Sequence, residues 1–578
     1  VESKDKRKGG FLSMVRYEFF LTHSLEKVFP ERMPETWKPG WNLEGFRNEI
    51  VSFQLIYTAL DGERGMPQQK FHLQVSGAKA RMRKVGLVPS DYPCYAEYDT
   101  NYITTKAGMF PDVLLPFDGT VIPVPGQMRS VWIDIDLRNL ETGSHEITIT
   151  AEAEVVTTCA NGVIIHNPYA VEQNWKQTLQ LQVLPAVLPE QRLLHTEWFH
   201  ADCLADYYNV EAFSEEHWEI VENYIRFAGE ECGVNLLLTP VFTQPLDTAV
   251  GGDRTTVQLV EVIRKEGQYR FGFGQLERWC KLCRKYGIQN LEIAHFFTQW
   301  GAYATPKIIA ETENGKEQIF GWEVEAVSAE YRYFLENFVP ALLGKLADLG
   351  YEKNQLFFHI SDEPGEEHLE SYMAAKKQVT DLLEGYTIVD ALSSYEFYKQ
   401  GIVEHPIPAD DHIQPFIDHG VEDLWVYYCC VQCVDVPNRF YAMPSARNRI
   451  MGVLMYLYRI KGFLHWGYNF YNSAFSLRHI DPYAETHAGF AFPSGDPYLV
   501  YPGEGGSVVS SIRNQVQMEA FYDLRAMDLL ESLSNRETVE SLIQEGEKEK
   551  MTFKSYPSSS NYLFELRRKI NREIIKRI

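Results

Sequence analysis

From residue 189 onward the chain repeats one phrase, a short apolar run followed by a segment of amphipathic helix. "LLHTEWFHADC" leads to "SEEHWEIVENYIRFAGEECG", and "VNLLLTPVFT" to "FGQLERWCKLCRKYG". "NLEIAHFFTQW" leads, after a long insertion, to "EYRYFLENFVPALLGKLADLG", and "QLFFHISDEP" to "EEHLESYMAAKKQVTDLLEG". "YTIVDALSS", "HIQPFID", "DLWVYYCC" and "GFLHWGYNFY" complete eight candidate strands, the last two separated by the helical "ARNRIMGVLMYLYRIKG". Short apolar runs alternating with helices indicate buried parallel strands. Eight such units over roughly 300 residues match the span of a (β/α)8 TIM barrel. A doubly wound open sheet is the alternative. No GxGxxG or P-loop follows any strand, which weighs against its nucleotide-binding versions.

The region before this has a different period. "EIVSFQLIYTA", "KFHLQVSG", "SVWIDIDL", "HEITITAEAEV" and "QTLQLQVLP" alternate apolar and polar residues, with turn-rich pieces such as "LDGERGMPQQ" between them. That pattern predicts a β-sandwich. "VLPAVLPEQ" ends it with two close prolines, so the expected organisation is a sandwich over 1–188 and a barrel over 189–578. The barrel domain ends in a helical extension beginning near residue 506. At 578 residues the chain is too long for one hydrophobic core, in keeping with this division.

Charge and composition narrow the function. With 79 acids against 55 basic residues the net charge is −24, which disfavours nucleic acid and anionic membranes as partners. No apolar run is long enough to span a bilayer. The N-terminal "VESKDKRKGGFLSMVRYEFF" lacks an apolar signal core and a small-residue cleavage site, and the cysteine count of nine is odd; both favour a cytoplasmic location. Aromatic residues make up 13% of the chain. Besides filling cores, such rings can cover the apolar faces of sugars. "WCKLCRKYG" and "YYCCVQC" raise the question of zinc, but neither has a knuckle turn. Small buried hydrophobes are the alternative role for these cysteines, and no metal or other cofactor is expected.

In a barrel the active site forms at the C-terminal strand ends. Strand one ends near Trp198 and His200, and strand three near His295, Phe297 and Trp300. Strand four ends at His359, Asp362 and Glu363. Strand seven offers Trp425, Tyr427 and Tyr428, and strand eight His465, Trp466, Tyr468, Asn469 and Tyr471. This inventory of aromatics with one pair of acids suits a neutral polyhydroxylated ligand. The pair has two readings. "SDEPGEEHL" can start a helix, with an acidic cap, Pro364 in the first turn and further acids behind it. It can equally present two carboxylates to a cleft. The strand-end histidines do not have the spacing of a metal-dependent hydrolase: His195 and His200, five apart, fall on opposite faces of a strand.

Taken in order, "FRNEIVSFQLIY", "GMFPDVLLPF", "HISDEP", "LWVYYCC", "GFLHWGYNFY" and "SGDPYLVYPG" resemble the family 123 glycoside hydrolases, over roughly residues 45–530. The last motif departs from the family pattern in having Pro497 where glycine is usual. The resemblance implies a β-sandwich joined to a (β/α)8 barrel. It also implies a retaining β-N-acetylgalactosaminidase that works by substrate-assisted catalysis through an oxazolinium intermediate. Its substrate would be an oligosaccharide or glycoconjugate. Carried onto this sequence, the catalytic residues are Asp362, orienting the acetamido group, and Glu363, the general acid/base. Tyr427 would contact the acetamido oxygen, and Trp466 would stack on the ring. Trp198, Tyr468, Asn469, His200 and His359 complete the expected substrate contacts. The alternatives are a barrel glycosidase on a non-acetamido sugar, recruiting Glu197, Glu292 or Asp390 as nucleophile, and a non-catalytic carbohydrate-binding protein.

Overall fold

The computed structural model describes residues 16–36, 42–60, 69–154, 156–158, 164–166 and 174–578. The basic N-terminal stretch lies mostly outside these residues, as does most of the "LDGERGMPQQ" turn. The chain forms two compact units. The first comprises the described residues of 1–87, 114–188 and 575–578, and the second 88–113 and 189–574.

The first unit is built mainly of two sheets. One is ordered Tyr17–His23, Ile50–Ala59, Arg129–Asp136 and the strand that begins at Ala80. The other is ordered Leu43–Arg47, Trp175–Val187, Gly143–Ala153, Phe71–Ser76 and Thr120–Val121. The alternation seen in the sequence fixes which face is buried. In Gly143–Ala153 the side chains of Ile147, Ile149 and Ala151 are fully buried, and those between them are not. They meet Phe53, Leu55, Val131 and Ile133 of the other sheet in one apolar cluster. Register follows from that pattern, since a slip of one residue would turn the apolar set outward.

The second unit is α/β. Its parallel strands are β1 (Leu194–Glu197), β2 (Leu236–Thr239), β3 (Asn290–Ile293), β4 (Leu356–Phe358), β5 (Thr387–Ala391), β6 (His405–Ile407), β7 (Trp425–Tyr427) and β8 (Gly462–His465). Helices follow most of them, including Glu215–Glu231 after β1, Gly274–Lys285 after β2 and Ala329–Asp348 after β3. Ser445–Arg449 and Met451–Leu457 follow β7, and Ile512–Leu533 is the long helix after β8.

The strands form two sheets and no closed barrel: β2-β3-β4-β5-β6 and β1-β8-β7. Between β1 and β2 one backbone bond, from Asn235 N–H to His195 O at 3.2 Å, is supplemented by the side-chain amide of Asn235. Its Oδ1 accepts from the His195 N–H at 2.9 Å and its Nδ2 donates to Leu193 O at 2.9 Å. Between β6 and β7 only an isolated bridge, Ala409–Tyr427, remains. Pro406 and Pro408 flank this seam, and neither has an N–H to give to a ladder.

The sixth strand differs from the sequence expectation. "HIQPFID" holds the helix Gln414–Asp418, with Pro415 in its first turn, and the strand lies earlier at His405–Ile407. A proline-bordered tripeptide has too little periodicity to announce itself as a strand. The long insertion after strand three, with the loop after β2, also carries a four-stranded sheet, Glu261–Lys265, Gln268–Gly272, Ile308–Thr312 and Gly315–Phe320.

Buried ion pairs fasten the second unit. Arg439 forks onto Glu197 at 2.6 and 2.9 Å, both side chains fully buried. Arg513, on the long C-terminal helix, forks onto Asp112 at 3.0 and 2.9 Å. Removing one member leaves an uncompensated buried charge. Arg513→Met is therefore expected to lower stability by about 3–5 kcal/mol, read as a shift in denaturant midpoint. Arg513→Met combined with Asp112→Leu should recover much of that loss.

Candidate active site

β4 ends at Phe358, and the next five residues are hung between its neighbours. Ile360 N–H donates to Asp390 Oδ1 at 2.9 Å and the Ser361 hydroxyl to Thr298 O at 2.8 Å. Asp362 O accepts from Trp300 N–H at 3.0 Å, and Glu363 N–H donates to Ala391 O at 3.0 Å. Consecutive side chains of a strand point to opposite faces. Here Glu363 has φ +43°, a left-handed conformation uncommon for a non-glycine residue. With that turn, Asp362 and Glu363 both line one cavity. Neither acid caps a helix. The next helical turn begins at Glu366, with Gly365 in the cap position.

The cavity measures about 240 Å³. Trp198, Trp300, Tyr427, Trp466 and Phe492 supply its aromatic wall, and Asp247, Gln299, Cys429 and Cys430 further polar groups. Trp300 and Asp247 are also left-handed, at φ +54° and +37°. Three such residues around one cavity is the clustering of backbone strain found at functional sites. The Tyr427 hydroxyl donates to Glu363 Oε1 at 2.6 Å. The Trp466 indole donates to Asp496 Oδ2 at 3.0 Å, and its ring packs at an angle against Phe470 and Phe492, at 4.9 and 5.4 Å. Trp198 Nε1 donates to Glu292 Oε1 at 2.8 Å.

Burial pushes the Asp362 carboxyl well above its usual range; the charge of Glu363 adds to this and that of His359 opposes it. Burial raises Glu363 too, against the lowering effect of the Tyr427 hydrogen bond. Both shifts favour a retained proton, the condition a general acid needs near neutral pH. Burial also lifts Asp247 to about 6.

The structure brings Tyr427, Trp466 and Trp198 together with the acid pair. Tyr468, Asn469, His200 and His359 are not among the lining residues. Beyond β8 the chain leaves the strand, so alternation no longer assigns faces. Tyr468 is fully buried and donates to Tyr224 O at 3.0 Å. Asn469 spends its amide on the backbone of His200, at 2.9 and 3.0 Å. His200 Nε2 meets Trp466 O at 2.9 Å while Arg254 donates to Nδ1 at 3.2 Å. Burial and the Arg254 charge lower His200 to about 4, so it is a neutral brace for Trp466.

His359 lies fully buried between Glu292, at 2.5 Å, and Asp390, at 3.3 Å. Burial would depress its pKa, but the two carboxylates outweigh that and raise it to about 9, making it an imidazolium. His295 stacks on it at 4.2 Å, and burial and the His359 charge hold His295 neutral.

Glu197, Glu292 and Asp390 are at most 1% exposed, and each is tied to a partner: Arg439, His359 and Tyr372 respectively. None lines the cavity. The third carboxylate that does, Asp247, went unread because it sits in the loop after β2, beyond the strand end. Asp496 was missed as well; it lies in the "SGDPYLVYPG" motif, which gave the resemblance but no role for this residue. The cysteine clusters lie apart in the chain, Cys280 and Cys283 on the helix Gly274–Lys285 and Cys429, Cys430 and Cys433 after β7. Among the described residues the one group of three close enough to share a metal ion is His23, Glu26 and Glu35 of the first unit.

Residues 198–530, more than half of the chain, match the family model described as Glycoside hydrolase 123, catalytic domain. No curated protein is significantly similar in sequence. Among solved structures, a family 123 glycoside hydrolase from Clostridium perfringens, studied for glycolipid glycan hydrolysis, has a TM-score of 0.70 at 15% identity. The likeness covers 97% of this chain and 98% of that one. Two family 2 enzymes align far more loosely. A β-galacturonidase from Eisenbergiella tayi has a TM-score of 0.31 at 8% identity, over 89% of this chain and 99% of that one. A member from Bacteroides cellulosilyticus has a TM-score of 0.27 at 9% identity, over 81% and 47%. The chain is thus an enzyme, a glycoside hydrolase, and belongs to family 123.

Proposed function

We propose that the enzyme removes a β-linked 2-acetamido sugar, most simply N-acetylgalactosamine, from an oligosaccharide or glycoconjugate, with retention and by substrate-assisted catalysis. We read its two parallel sheets as the arcs of one (β/α)8 barrel interrupted at two seams. The observation that carries the functional reading is the acid pair itself. Asp362 and Glu363 share one cavity, while the other strand-end acids, Glu197, Glu292 and Asp390, are sequestered with partners. Two carboxyls on consecutive residues reach the sugar from one wall. They are poorly placed to flank the anomeric carbon from opposite faces, as a nucleophile and an acid must. They are well placed if the substrate brings its own nucleophile.

The steps then follow. Asp362 accepts a hydrogen bond from the acetamido N–H and turns the carbonyl oxygen onto the anomeric carbon. Glu363 gives its proton to the leaving oxygen as that bond breaks. The acetamido oxygen closes an oxazolinium ring, whose positive charge the Asp362 carboxylate stabilises. Glu363, now ionised, takes a proton from the water that opens the ring, so the configuration is retained. Tyr427, already bonded to Glu363, is within reach of the acetamido oxygen, and Trp466, fixed by Asp496, presents a face to the sugar. The likeness to an enzyme studied on glycolipid glycans supports a glycoconjugate as substrate.

A second reading comes from Asp247. As the other carboxylate of the cavity, it could act as a nucleophile on a 2-hydroxy sugar. A panel of 2-acetamido and 2-hydroxy aryl glycosides separates the two: hydrolysis confined to 2-hydroxy substrates rejects the acetamido mechanism.

Glu363→Gln should lose about 10²–10⁴-fold in rate on poor leaving groups and much less on activated aryl glycosides. Asp362→Asn should be slow on both. Wild-type rates in both variants would refute the assignment. A thiazoline mimic of the oxazolinium should inhibit strongly.

Tyr427→Phe gives a pH test with a definite sign. The hydroxyl stabilises ionised Glu363, so its loss raises the Glu363 pKa and keeps the acid form to higher pH. The alkaline limb of kcat/KM should therefore move upward in Tyr427→Phe, and an unmoved or lowered limb would contradict this.

A further inference from the structure

Glycoside hydrolysis gives no role to the adjacent thiols at the end of β7, yet both line the cleft. Cys429 and Cys430 share its wall with Glu363, Tyr427 and Trp466. Cys429 is buried and Cys430 half-buried, and neither is in a disulfide. The loop that carries them is held rigidly. Gln432 Oε1 accepts from both the N–H and the Sγ of Cys429, at 3.0 and 3.2 Å. Asn438 Nδ2 donates to Cys429 O and Gln432 O, at 2.8 and 2.7 Å. The other close cysteine pair, Cys280 and Cys283, is fully enclosed on its helix.

Direct oxidation suits Cys429 and Cys430 poorly. Consecutive Cα atoms are about 3.8 Å apart. Disulfides usually span about 4.4–6.8 Å between Cα atoms. A single soft atom inserted between the sulfurs enlarges the ring and relieves that strain. Thiols prefer soft acceptors, and once one sulfur has bonded, the second is already in place.

We propose that Cys429 and Cys430 form a dithiol site in the cleft wall that captures a thiophilic agent of the trivalent arsenical class, and that capture closes the cleft. The reaction is R–As=O + 2 Cys–SH → R–As(S–Cys)2 + H2O. Two S–H bonds and the As=O bond break, two As–S bonds form, both protons leave in the water, and arsenic remains trivalent. The adduct is independent of which sugar the enzyme accepts. Only the accompanying loss of activity rests on the cleft being the active site.

The test is titration of the full chain with phenylarsine oxide, followed by intact-mass and peptide analysis. The expected result is one adduct per chain on the peptide carrying Cys429 and Cys430. Glycosidase activity should be lost in step with it and restored by 2,3-dimercaptopropanol, with no recovery in a monothiol. A thiazoline bound in the cleft should slow adduct formation, which needs no variant. Cys430→Ser and Cys429→Ser should lose the adduct, and Cys280→Ser should keep it. The proposal is overturned if no adduct forms, if it maps to Cys280 and Cys283, if it persists in Cys430→Ser, or if full labelling leaves activity intact. If no 2-acetamido glycoside is hydrolysed, the proposed function fails, while the adduct and its map still decide whether the dithiol site exists.

Discussion

The floor of the cleft depends on one buried carboxylate, Glu292 on β3. It accepts from the Thr196 hydroxyl at 2.6 Å, the Trp198 indole at 2.8 Å and the His359 ring at 2.5 Å. An isolated carboxylate buried this deeply would cost several kcal/mol, and it persists only because its oxygens are occupied and a cation faces it. Those contacts tie β1 and the end of β4 to β3. They set the orientation of Trp198, which lines the cavity. They also hold His359 as an imidazolium, with Asp390 on its other side and the Tyr372 hydroxyl on Asp390 beyond. Of the two seams between the sheets, the β1–β2 seam lies beside this cluster. Side-chain hydrogen bonds across strand ends do there what a continuous ladder would otherwise do.

Above this floor the backbone, more than the identity of the residues, makes the site. A strand that simply continued past Phe358 would send Asp362 and Glu363 to opposite faces. The left-handed turn at Glu363, held by its N–H on Ala391 O, brings them to the same cavity. Trp300 is bent in the same way and is held by its N–H on Asp362 O. The two strained residues thus stabilise one another's placement through the backbone of the acid pair. Pro364 and Gly365 follow directly, so the helical turn starts only after the pair has been delivered.

Where regular structure continues, the sequence is legible. The two periodicities separate the β-rich region from the α/β region, and the strand-end rule places Asp362, Glu363, Tyr427 and Trp466 in a longer inventory from which the family resemblance singles them out. Legibility fails where regularity stops. β6 is hidden by Pro406 and Pro408. Tyr468 and Asn469 look like continuations of β8 but lie on chain that has already turned inward. Asp247 belongs to a loop whose course depends on a hydrogen bond from its N–H to Gln299 Oε1 and one from the Ser476 hydroxyl to its carbonyl. His359 has the opposite difficulty: its type and position suggest a ligand contact, and only the carboxylates of β3 and β5 show that it is consumed beneath the cleft.

That buried imidazolium also suggests why two neighbouring acids can be given different work. No lysine, arginine or histidine lines the cavity among the described residues, so nothing in its wall offsets the burial of Glu363 except a neutral hydroxyl. Asp362 is held well above its usual range by burial and the carboxylates of Glu363, Asp390 and Asp247, but it also feels the His359 charge, which opposes its protonation. Desolvation favours the neutral form of both groups, but only one has a cation to answer it. Under the proposed mechanism, an acetamido N–H donating to Asp362 would add a hydrogen bond that favours its ionised form, leaving the proton to Glu363. Pairs of titratable groups whose environments are driven apart divide into acid and anion. Here the groups that differ between the two are the His359 charge, three positions before Asp362, and the Tyr427 hydroxyl on Glu363.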